Sequence, residues 1–390
     1  MAPRKVIGAV KFNEKDYQST LDRVICFARD FNAAEAELSG GFKSAPMAVW
    51  DIARAHNIPQ MVTASADGPA PLAGVLEAME AIGTQTGDLG FCLALVAHAF
   101  GCAFPIHLAT TAELRVGPLA ALHTGVSIGA GAMTEECSGS DAFAMQTTAT
   151  LNGDCYLLNG EKRFITNGEI ADTFLVYAKT SPGCLPFCIS AFLVDRKTPG
   201  LSIRSEPEKI GTRTASWVRM SLNECSVPLS SRVGSEGVGG SLFMETMRWE
   251  RMALAAAQIG AMQASLDRCV AIAKSRHRFG APLEAESANS HQIADMRVRL
   301  EAARSLLGNV ADTVGKGASL QDDHVAIVKL AVSTASFENG CAEARLHGAI
   351  GVTELSGATN LLCDSMALQN AAGTLDIQRE LVARGLGLTT

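Results

Sequence analysis

Three Asn-Gly pairs in the middle of this 390-residue chain predict tight turns between short β-strands. They stand at 152–153, 159–160 and 167–168, and Asn-Gly readily adopts the positive φ angles that hairpin turns demand. Around them lie short runs rich in Thr, Val, Leu and Phe, which predict strands over 144–151, 155–158, 173–178, 187–194 and 217–222. This pattern predicts an antiparallel barrel or open sheet between about residues 126 and 228.

The sequence on either side of this segment has a helical pattern. Apolar residues recur every three or four positions from Leu21 to Phe31 and again from Phe243 to Ala257. A glycine-rich stretch at 234–240 separates the second helical part from the strands. We therefore expect an α+β protein with an N-terminal helical domain (1–124), a central antiparallel β-domain (125–233) and a C-terminal helical bundle (234–390).

The composition limits the partners and the location of the protein. Hydrophobic residues make up 47% of the chain, and the net charge of −7 without a basic run argues against a nucleic-acid partner. The eleven cysteines show no CxxC pair and no zinc-like spacing, and Cys184 and Cys188 are the nearest two. Free thiols, and an N-terminus without a signal-type apolar stretch, predict a cytoplasmic protein with no metal site.

The most apolar stretch of the chain runs from 89 to 106. A membrane-spanning helix needs about 20 uninterrupted apolar residues, whereas this stretch is broken by His98, Gly101 and Pro105. We therefore expect a buried helix and no association with a membrane.

Two segments of the predicted β-domain resemble the flavin-contacting motifs of the acyl-CoA dehydrogenase family. They are TEECSGSD at 134–141 and GEKRFITNG at 160–168. The resemblance implies bound FAD, with Thr134 and Thr166 contacting the flavin and Phe164 against its ring. It also implies that the backbone at Met133 and Ser140 completes the site, with Ser140 nearer the diphosphate or the thioester of the substrate. Glu136 replaces the proline that is usual in the first motif. The alternative is that Phe164 and the threonines are ordinary strand residues.

Two further segments resemble the family's motifs for the adenine and diphosphate of FAD. They are RHRFG at 276–280 and RLHGAIG at 345–351, in which Arg345 and Ala349 replace the usual Gln and Gly. Relatives bind this end of the FAD largely from the neighbouring subunit, so the resemblance implies a homotetramer or homodimer. The residues that it assigns to the cofactor in the C-terminal part are Arg276, Phe279, His347, Gly348 and Thr374. The alternative for Arg276 is a solvated helix charge.

The resemblance also implies a catalytic base. Many relatives carry this glutamate in a Glu-Gly-Thr segment near the C-terminus, but this chain has Ala372 at that position. The isovaleryl- and long-chain-acyl enzymes instead carry it on an earlier helix, where this chain has WERMALAAA at 249–257. Glu250 is therefore the predicted base, and Arg251 resembles an arginine that lines the substrate channel. The alternatives are that Glu250 is a surface charge or that Asp376 is the base.

Together these motifs predict FAD-dependent α,β-dehydrogenation of an acyl thioester. The acyl carrier would be coenzyme A or the phosphopantetheine arm of a carrier protein, and an electron-transferring flavoprotein or oxygen would reoxidise the flavin. A flavin-dependent monooxygenase and a non-catalytic relative that binds acyl groups or flavin are the two alternatives.

Overall fold

The computed structural model describes residues 14–38, 41–43, 45–65, 67–109, 114–183, 185–353 and 356–389. The predictions about the N-terminal residues 1–13 and about Cys184 lie outside this part of the chain. The ten cysteines within it are all unpaired.

The N-terminal part of the described chain is helical, as predicted. It contains helices α1 (Glu14–Glu37), α2 (Pro46–Ala55), α3 (Ile58–Val62), α4 (Leu72–Thr86), α5 (Leu89–His98), α6 (Phe104–Ala109) and α7 (Ala120–His123). Phenylalanine side chains of α1 and α5 pack against each other and against Trp50 of α2 in the core of this part.

Helices α5 and α6 form one continuous apolar helix. Its 21 residues, Leu89–Ala109, are long and apolar enough to cross a membrane, but 94% of the most apolar window is buried inside the protein. The prediction of a buried helix is confirmed. His98, Gly101 and Pro105, which interrupt the apolar run, lie within this helix without ending it. A π turn over Ala99–Ala103 widens the helix just before the proline, which lacks an N–H group.

The middle of the chain forms a mixed sheet. Its strands are β1 (Gly129–Ala132), β2 (Thr148–Asn152), β3 (Cys155–Thr166), β4 (Thr173–Lys179), β5 (Ile189–Asp195), β6 (Leu201–Ser205), β7 (Trp217–Pro228) and β8 (Arg232–Val233). The order is β6-β7-β3-β2-β4-β5-β8, and β1 pairs with β4. The predicted antiparallel pairing holds for most neighbours, but β4 pairs in parallel with β1 and, at one position, with β2.

The three Asn-Gly pairs have different roles in this sheet. The predicted hairpin turn between β2 and β3 is present, with Asn152 as the last residue of β2 opposite Cys155 and with Gly153, at φ 61°, and Asp154 as the turn. The prediction of a turn at Asn159-Gly160 is wrong, because this pair lies inside β3, where the register against β7 shifts between Leu158 and Gly160. Asn167-Gly168 ends β3, and Asn167 has a φ of 68°.

The C-terminal part returns to helices. They are α8 (Gly239–Ser275), α9 (Ser287–Gly315), α10 (Asp322–His347), α11 (Asn360–Leu368) and α12 (Leu375–Gly385), with a small hairpin of β9 (His277–Arg278) and β10 (Ala281–Pro282) between α8 and α9. Helices, sheet and helices in this order confirm the predicted α+β fold class. The exact domain boundaries remain a prediction.

Glycines allow α8 to lie directly against α4. A Cβ atom added at Gly83 of α4 would lie 2.2 Å from the carbonyl oxygen of Ala257, and one at Gly260 of α8 would lie 2.1 Å from that of Glu80. Such short distances leave no room for any side chain, so both positions require glycine. This contact joins the N-terminal helices to the C-terminal bundle in a single core, and it fixes the helix that carries Glu250.

Candidate active site

A buried ion pair joins the two predicted flavin motifs of the sheet. Lys162 of β3 donates hydrogen bonds from Nζ to Glu135 Oε1 at 2.8 Å and to the Met133 carbonyl at 3.0 Å. The backbone N–H of Arg163 donates to the Thr134 carbonyl at 2.8 Å. Lys162 and Glu135 are both buried, so breaking this pair would leave a charge without a partner in the interior. The structure therefore brings Met133 and Thr134 next to the strand that carries Phe164 and Thr166.

A bulge turns Phe164 out of the sheet. The register of β3 against β7 shifts between Lys162 and Ile165, and Phe164 has a φ of 57°. Its side chain is 43% exposed and lies edge-on against Trp217 at 5.6 Å between ring centroids, whereas Ile165 is buried. Phe164 is therefore a surface aromatic beside the first motif, and the alternative that it fills the strand core is wrong.

The surroundings of Phe164 fit a flavin. Thr134 and Thr166, in the two adjoining motifs, are half-buried, and the Arg163 guanidinium lies 4.5 Å from the centroid of the Phe164 ring. The Ser138 hydroxyl and the Trp217 indole N–H are buried without a hydrogen-bond partner among the described residues. A planar ligand with polar edges would satisfy such groups. Ser140 is exposed at the end of the first motif.

Three residues of the second predicted cofactor cluster, Arg276, His347 and Gly348, come together. Arg276 donates from Nη1 to the His347 carbonyl at 2.7 Å, and Gly348, at φ 64°, lies directly beside this guanidinium. Phe279 is 88% exposed in the hairpin that follows Arg276. Thr374 caps the N-terminus of α12 by accepting a hydrogen bond from the backbone N–H of Ile377. Among the described residues, no hydrogen bond or ion pair links this cluster to Thr134, Phe164 or Thr166.

Glu250 lies where α8 meets the π turn and the sheet. Its Oε1 atom is 3.4 Å from the position that a Cβ atom would take at Gly101, so this glycine leaves room for the carboxylate. A Cβ atom at Gly131 of β1 would in turn lie 2.7 Å from the Gly101 carbonyl oxygen. The neighbouring Trp249 ring contacts the rings of Phe100 and Phe104. The carboxylate therefore sits at a helix–sheet junction with an apolar wall.

The surroundings of Glu250 suit a base at neutral pH. The side chain is only partly accessible, and burial raises its pKa to about 7, although Arg251 and Lys329 act in the opposite direction. Among the described residues it makes no ion pair within 4 Å. These observations do not support a surface charge paired on the helix. Asp376 is a poor alternative, because its side chain is 86% exposed and forms an ion pair with Arg379.

Two buried cations hold the loop that contains Ala372. Lys329 of α10 donates from Nζ to the carbonyls of Ala371 and Gly373, and Arg251 donates from Nε to the carbonyl of Ala372 at 3.0 Å. Ala372 has a φ of 52°, which is uncommon for a residue other than glycine. Arg251 thus contacts the loop where many relatives carry the base. The sequence reasoning missed Lys329, although a lone lysine between Val325 and Val332 was a visible signal.

Comparison with known proteins identifies the family of the chain. Models of the acyl-CoA dehydrogenase middle domain and C-terminal domain match residues 130–225 and 237–387. An L-prolyl-[peptidyl-carrier protein] dehydrogenase from a Serratia species is 32% identical over 380 residues, covering 97% of this chain and 98% of the relative. The chain belongs to the acyl-CoA dehydrogenase family.

Solved structures support this family assignment, because they share the fold of the chain. A structure described as PigA with FAD and proline is 30% identical in sequence and has a TM-score of 0.89. The alignment covers 98% of the chain described here and 100% of the PigA chain. Butyryl-CoA dehydrogenase from Megasphaera elsdenii has a TM-score of 0.87 and 27% identity, and the alignment covers 97% of this chain and 100% of that enzyme.

Family membership confirms the predicted reaction class. This protein is a flavoprotein oxidoreductase that uses FAD and acts on CH–CH donors, by α,β-dehydrogenation of an acyl thioester on coenzyme A or a carrier protein. The names of these relatives favour a dehydrogenase over a monooxygenase or a non-catalytic binding protein. The roles of the individual site residues remain predictions.

Proposed function

We propose that Glu250 removes the α-proton of a short acyl thioester that is held on the phosphopantetheine arm of a carrier protein. The observation that carries this proposal is the position of Glu250, a partly accessible carboxylate with a pKa of about 7 beside Gly101. Ala372 at the family's other base position supports it, because a methyl group cannot accept a proton.

The residues around Glu250 favour proton abstraction. Burial is the largest cause of the raised pKa of Glu250, so the carboxylate is weakly solvated and basic. Arg251 and Lys329 lie near enough to stabilise its ionised form at neutral pH. FAD, when bound, supplies the acceptor for the hydride that leaves the β-carbon.

We assign the predicted cofactor residues to two ends of the FAD. Thr134, Phe164 and Thr166, with the backbone of Met133 and with Ser140, would hold the flavin ring. Arg276 supplies a positive charge for the diphosphate, and Gly348 lets backbone N–H groups approach it. His347 and Phe279 complete this end, and we place it in the neighbouring subunit of a homodimer or homotetramer, since no hydrogen bond or ion pair among the described residues links the two clusters. Thr374 follows the loop held by Arg251 and Lys329, so we assign it to the part of the cofactor nearest Glu250.

The relatives favour a carrier protein over coenzyme A as the source of the substrate. The match to the Serratia enzyme, whose name specifies a prolyl group on a peptidyl-carrier protein, extends over almost the whole of both chains. A prolyl-type thioester is therefore the first candidate. We place the protein in the cytoplasm, with an electron-transferring flavoprotein or oxygen as electron acceptor.

Anaerobic mixing of the FAD-bound protein with thioesters tests this proposal. We expect prolyl-carrier protein to bleach the flavin absorbance, and butyryl-CoA and isovaleryl-CoA to do so more slowly or not at all. Glu250→Gln should slow bleaching by about a hundredfold or more, the usual contribution of a general base. Ala372→Glu in the Glu250→Gln protein should restore part of the rate, because it returns a carboxylate to the family's other base position.

Asp376→Asn is the matched control, since it makes the same change from carboxylate to amide at an exposed residue. This variant should reduce its flavin at the wild-type rate. Bleaching of Glu250→Gln at the wild-type rate would disprove the role of Glu250. Bleaching by the coenzyme A thioesters alone would disprove the carrier protein and leave the base assignment intact.

A further inference from the structure

Two buried hydroxyl groups near Glu250 have no hydrogen-bond partner. They belong to Tyr177 of β4 and Thr246 of α8, and both side chains are almost fully buried. A buried hydroxyl without a partner loses its hydrogen bonds to water and gains none from the protein. Such groups are uncommon in folded proteins, and two of them beside a proposed catalytic residue call for an explanation.

Thr246 differs from five other threonines that lie in helices or at a helix end. The hydroxyls of Thr84, Thr86, Thr124, Thr313 and Thr334 all donate to the carbonyl four residues earlier, at 2.8 to 3.1 Å. Thr246 makes no such bond. It lies one helical turn before Glu250, so the two side chains are on the same face of α8. Its hydroxyl is therefore available on the face that carries the carboxylate.

Tyr177 approaches the same place from the sheet. Its ring lies edge-on against Phe243 of α8 at 5.7 Å between centroids. Burial raises the pKa of Tyr177, and the next largest cause is the charge of Glu250, so the phenol lies within electrostatic reach of that carboxylate. A weak hydrogen-bonding interaction with Thr246 lowers the pKa of Tyr177, so the two hydroxyls lie close together, but they fall short of a well-formed hydrogen bond.

The other described buried tyrosine shows the usual arrangement. Tyr156 donates from its hydroxyl to Glu236 at 3.0 Å and accepts a hydrogen bond from Arg232 at 2.8 Å. Tyr177 has neither kind of neighbour, although it is equally buried. A pocket for a plain hydrocarbon chain would gain nothing from either hydroxyl, because Phe and Val have nearly the same shapes and carry no polar atom.

We propose that Tyr177 and Thr246 together bind a polar substituent, an amine or a hydroxyl, on the acyl group that Glu250 deprotonates. This inference rests on the proposed function, and it defines the substrate class more narrowly. The preferred acyl group is short and carries a heteroatom that both donates and accepts hydrogen bonds. A site built around such a group discriminates strongly against an analogue that lacks it, because the hydroxyls then remain unpaired.

Two thioesters that differ in one ring atom test this inference. Prolyl-pantetheine has a ring N–H where cyclopentanecarbonyl-pantetheine has a CH₂ group, and both have a similar shape. Dissociation constants would be measured with Glu250→Gln, from the change in the flavin spectrum during titration. We expect prolyl-pantetheine to bind at least about tenfold more tightly than its carbocyclic analogue.

Two conservative variants assign this preference to the hydroxyls. In the same Glu250→Gln protein, Tyr177→Phe and Thr246→Val should each lower the preference by about fivefold or more, by weakening prolyl binding and leaving cyclopentanecarbonyl binding unchanged. A purely structural role would weaken both ligands alike. Tyr156→Phe and Thr334→Val are matched controls at hydroxyls that already have partners, and they should keep the wild-type preference.

Equal dissociation constants for the two thioesters would overturn the inference. So would a preference for prolyl-pantetheine that is unchanged in Tyr177→Phe and Thr246→Val. Failure of the proposed function gives a different result, because binding is measured without turnover. In that case the preference would depend on the two hydroxyls, but prolyl thioesters would not bleach the flavin of the wild-type protein.

Discussion

The ionisation of Glu250 predicts how flavin reduction depends on pH. A base must be deprotonated to accept the α-proton, and burial raises the pKa of Glu250 to about 7. The rate constant of reduction by a bound thioester should therefore rise about tenfold per pH unit below pH 7 and level off above it. Stopped-flow reduction between about pH 5 and about pH 9 measures this profile. A flat profile across that range would contradict the assignment of Glu250.

Sequence motifs predicted Glu250 but not the residues that surround it. Glu250 was recognisable because it stands beside Arg251 in a short segment that resembles part of the family. Tyr177, Thr246 and Lys329 belong to no such segment, and each comes from a different element. Their importance depends on which elements pack together and on which hydrogen bonds are left unmade, and neither is visible in the local sequence.

The attachment of the Ala371–Gly373 loop to α10 predicts a second pH effect. Replacing Lys329 by Met removes the donor to two loop carbonyls, which should lower the free energy of unfolding by about 1 to 3 kcal/mol. Burial lowers the pKa of Lys329 itself to about 7, so Lys329 is charged mainly below that pH. Its charge lowers the pKa of Glu250 there, and its loss should move the rise in reduction rate to higher pH. Arg251 on α8 and Tyr177 on β4 also face Glu250 and remain in place.

Chemical denaturation and the reduction profile measure these two effects. Lys316→Met makes the same substitution at an exposed position and should change neither quantity. Lys329→Arg retains the charge, so its profile should stay near that of the wild type even if the loop is less stable. An unchanged midpoint of the pH profile of flavin reduction in Lys329→Met would show that this lysine does not act on Glu250.

The strands that were missed show which elements lack a local signal. β1 consists only of Gly and Ala, because a Cβ atom at Gly129 or Gly131 would clash with Cys102 or Gly101 of the π turn. Such a strand has no β-branched residue to mark it. The bulge that exposes Phe164 also has no signal in the local sequence, because it depends on the pairing of β3 with β7. The turn at Asn152-Gly153 was predictable because its conformation is determined locally.

The order of helices, sheet and helices was predictable for the described residues, because periodicity and turn residues change clearly between the helical parts and the sheet. The arrangement of subunits was not predictable from the sequence. The residues proposed to hold FAD form two clusters that no hydrogen bond or ion pair links among the described residues, and we propose that a second copy of the chain completes the site. The surface of that contact depends on side chains that are exposed in the single chain.

The hairpin that carries Phe279 is the best candidate for the subunit contact. Phe279 and Val352 are 88% and 78% exposed, and they flank Arg276 and His347 in sequence. Burying one phenylalanine stabilises a contact by about 2 kcal/mol, so Phe279→Ser should weaken self-association by about thirtyfold and release FAD. Analytical ultracentrifugation and flavin content measure both effects. Phe187→Ser, at a 72% exposed phenylalanine in the turn before β5, should change neither. An unaltered assembly in Phe279→Ser would place the contact elsewhere.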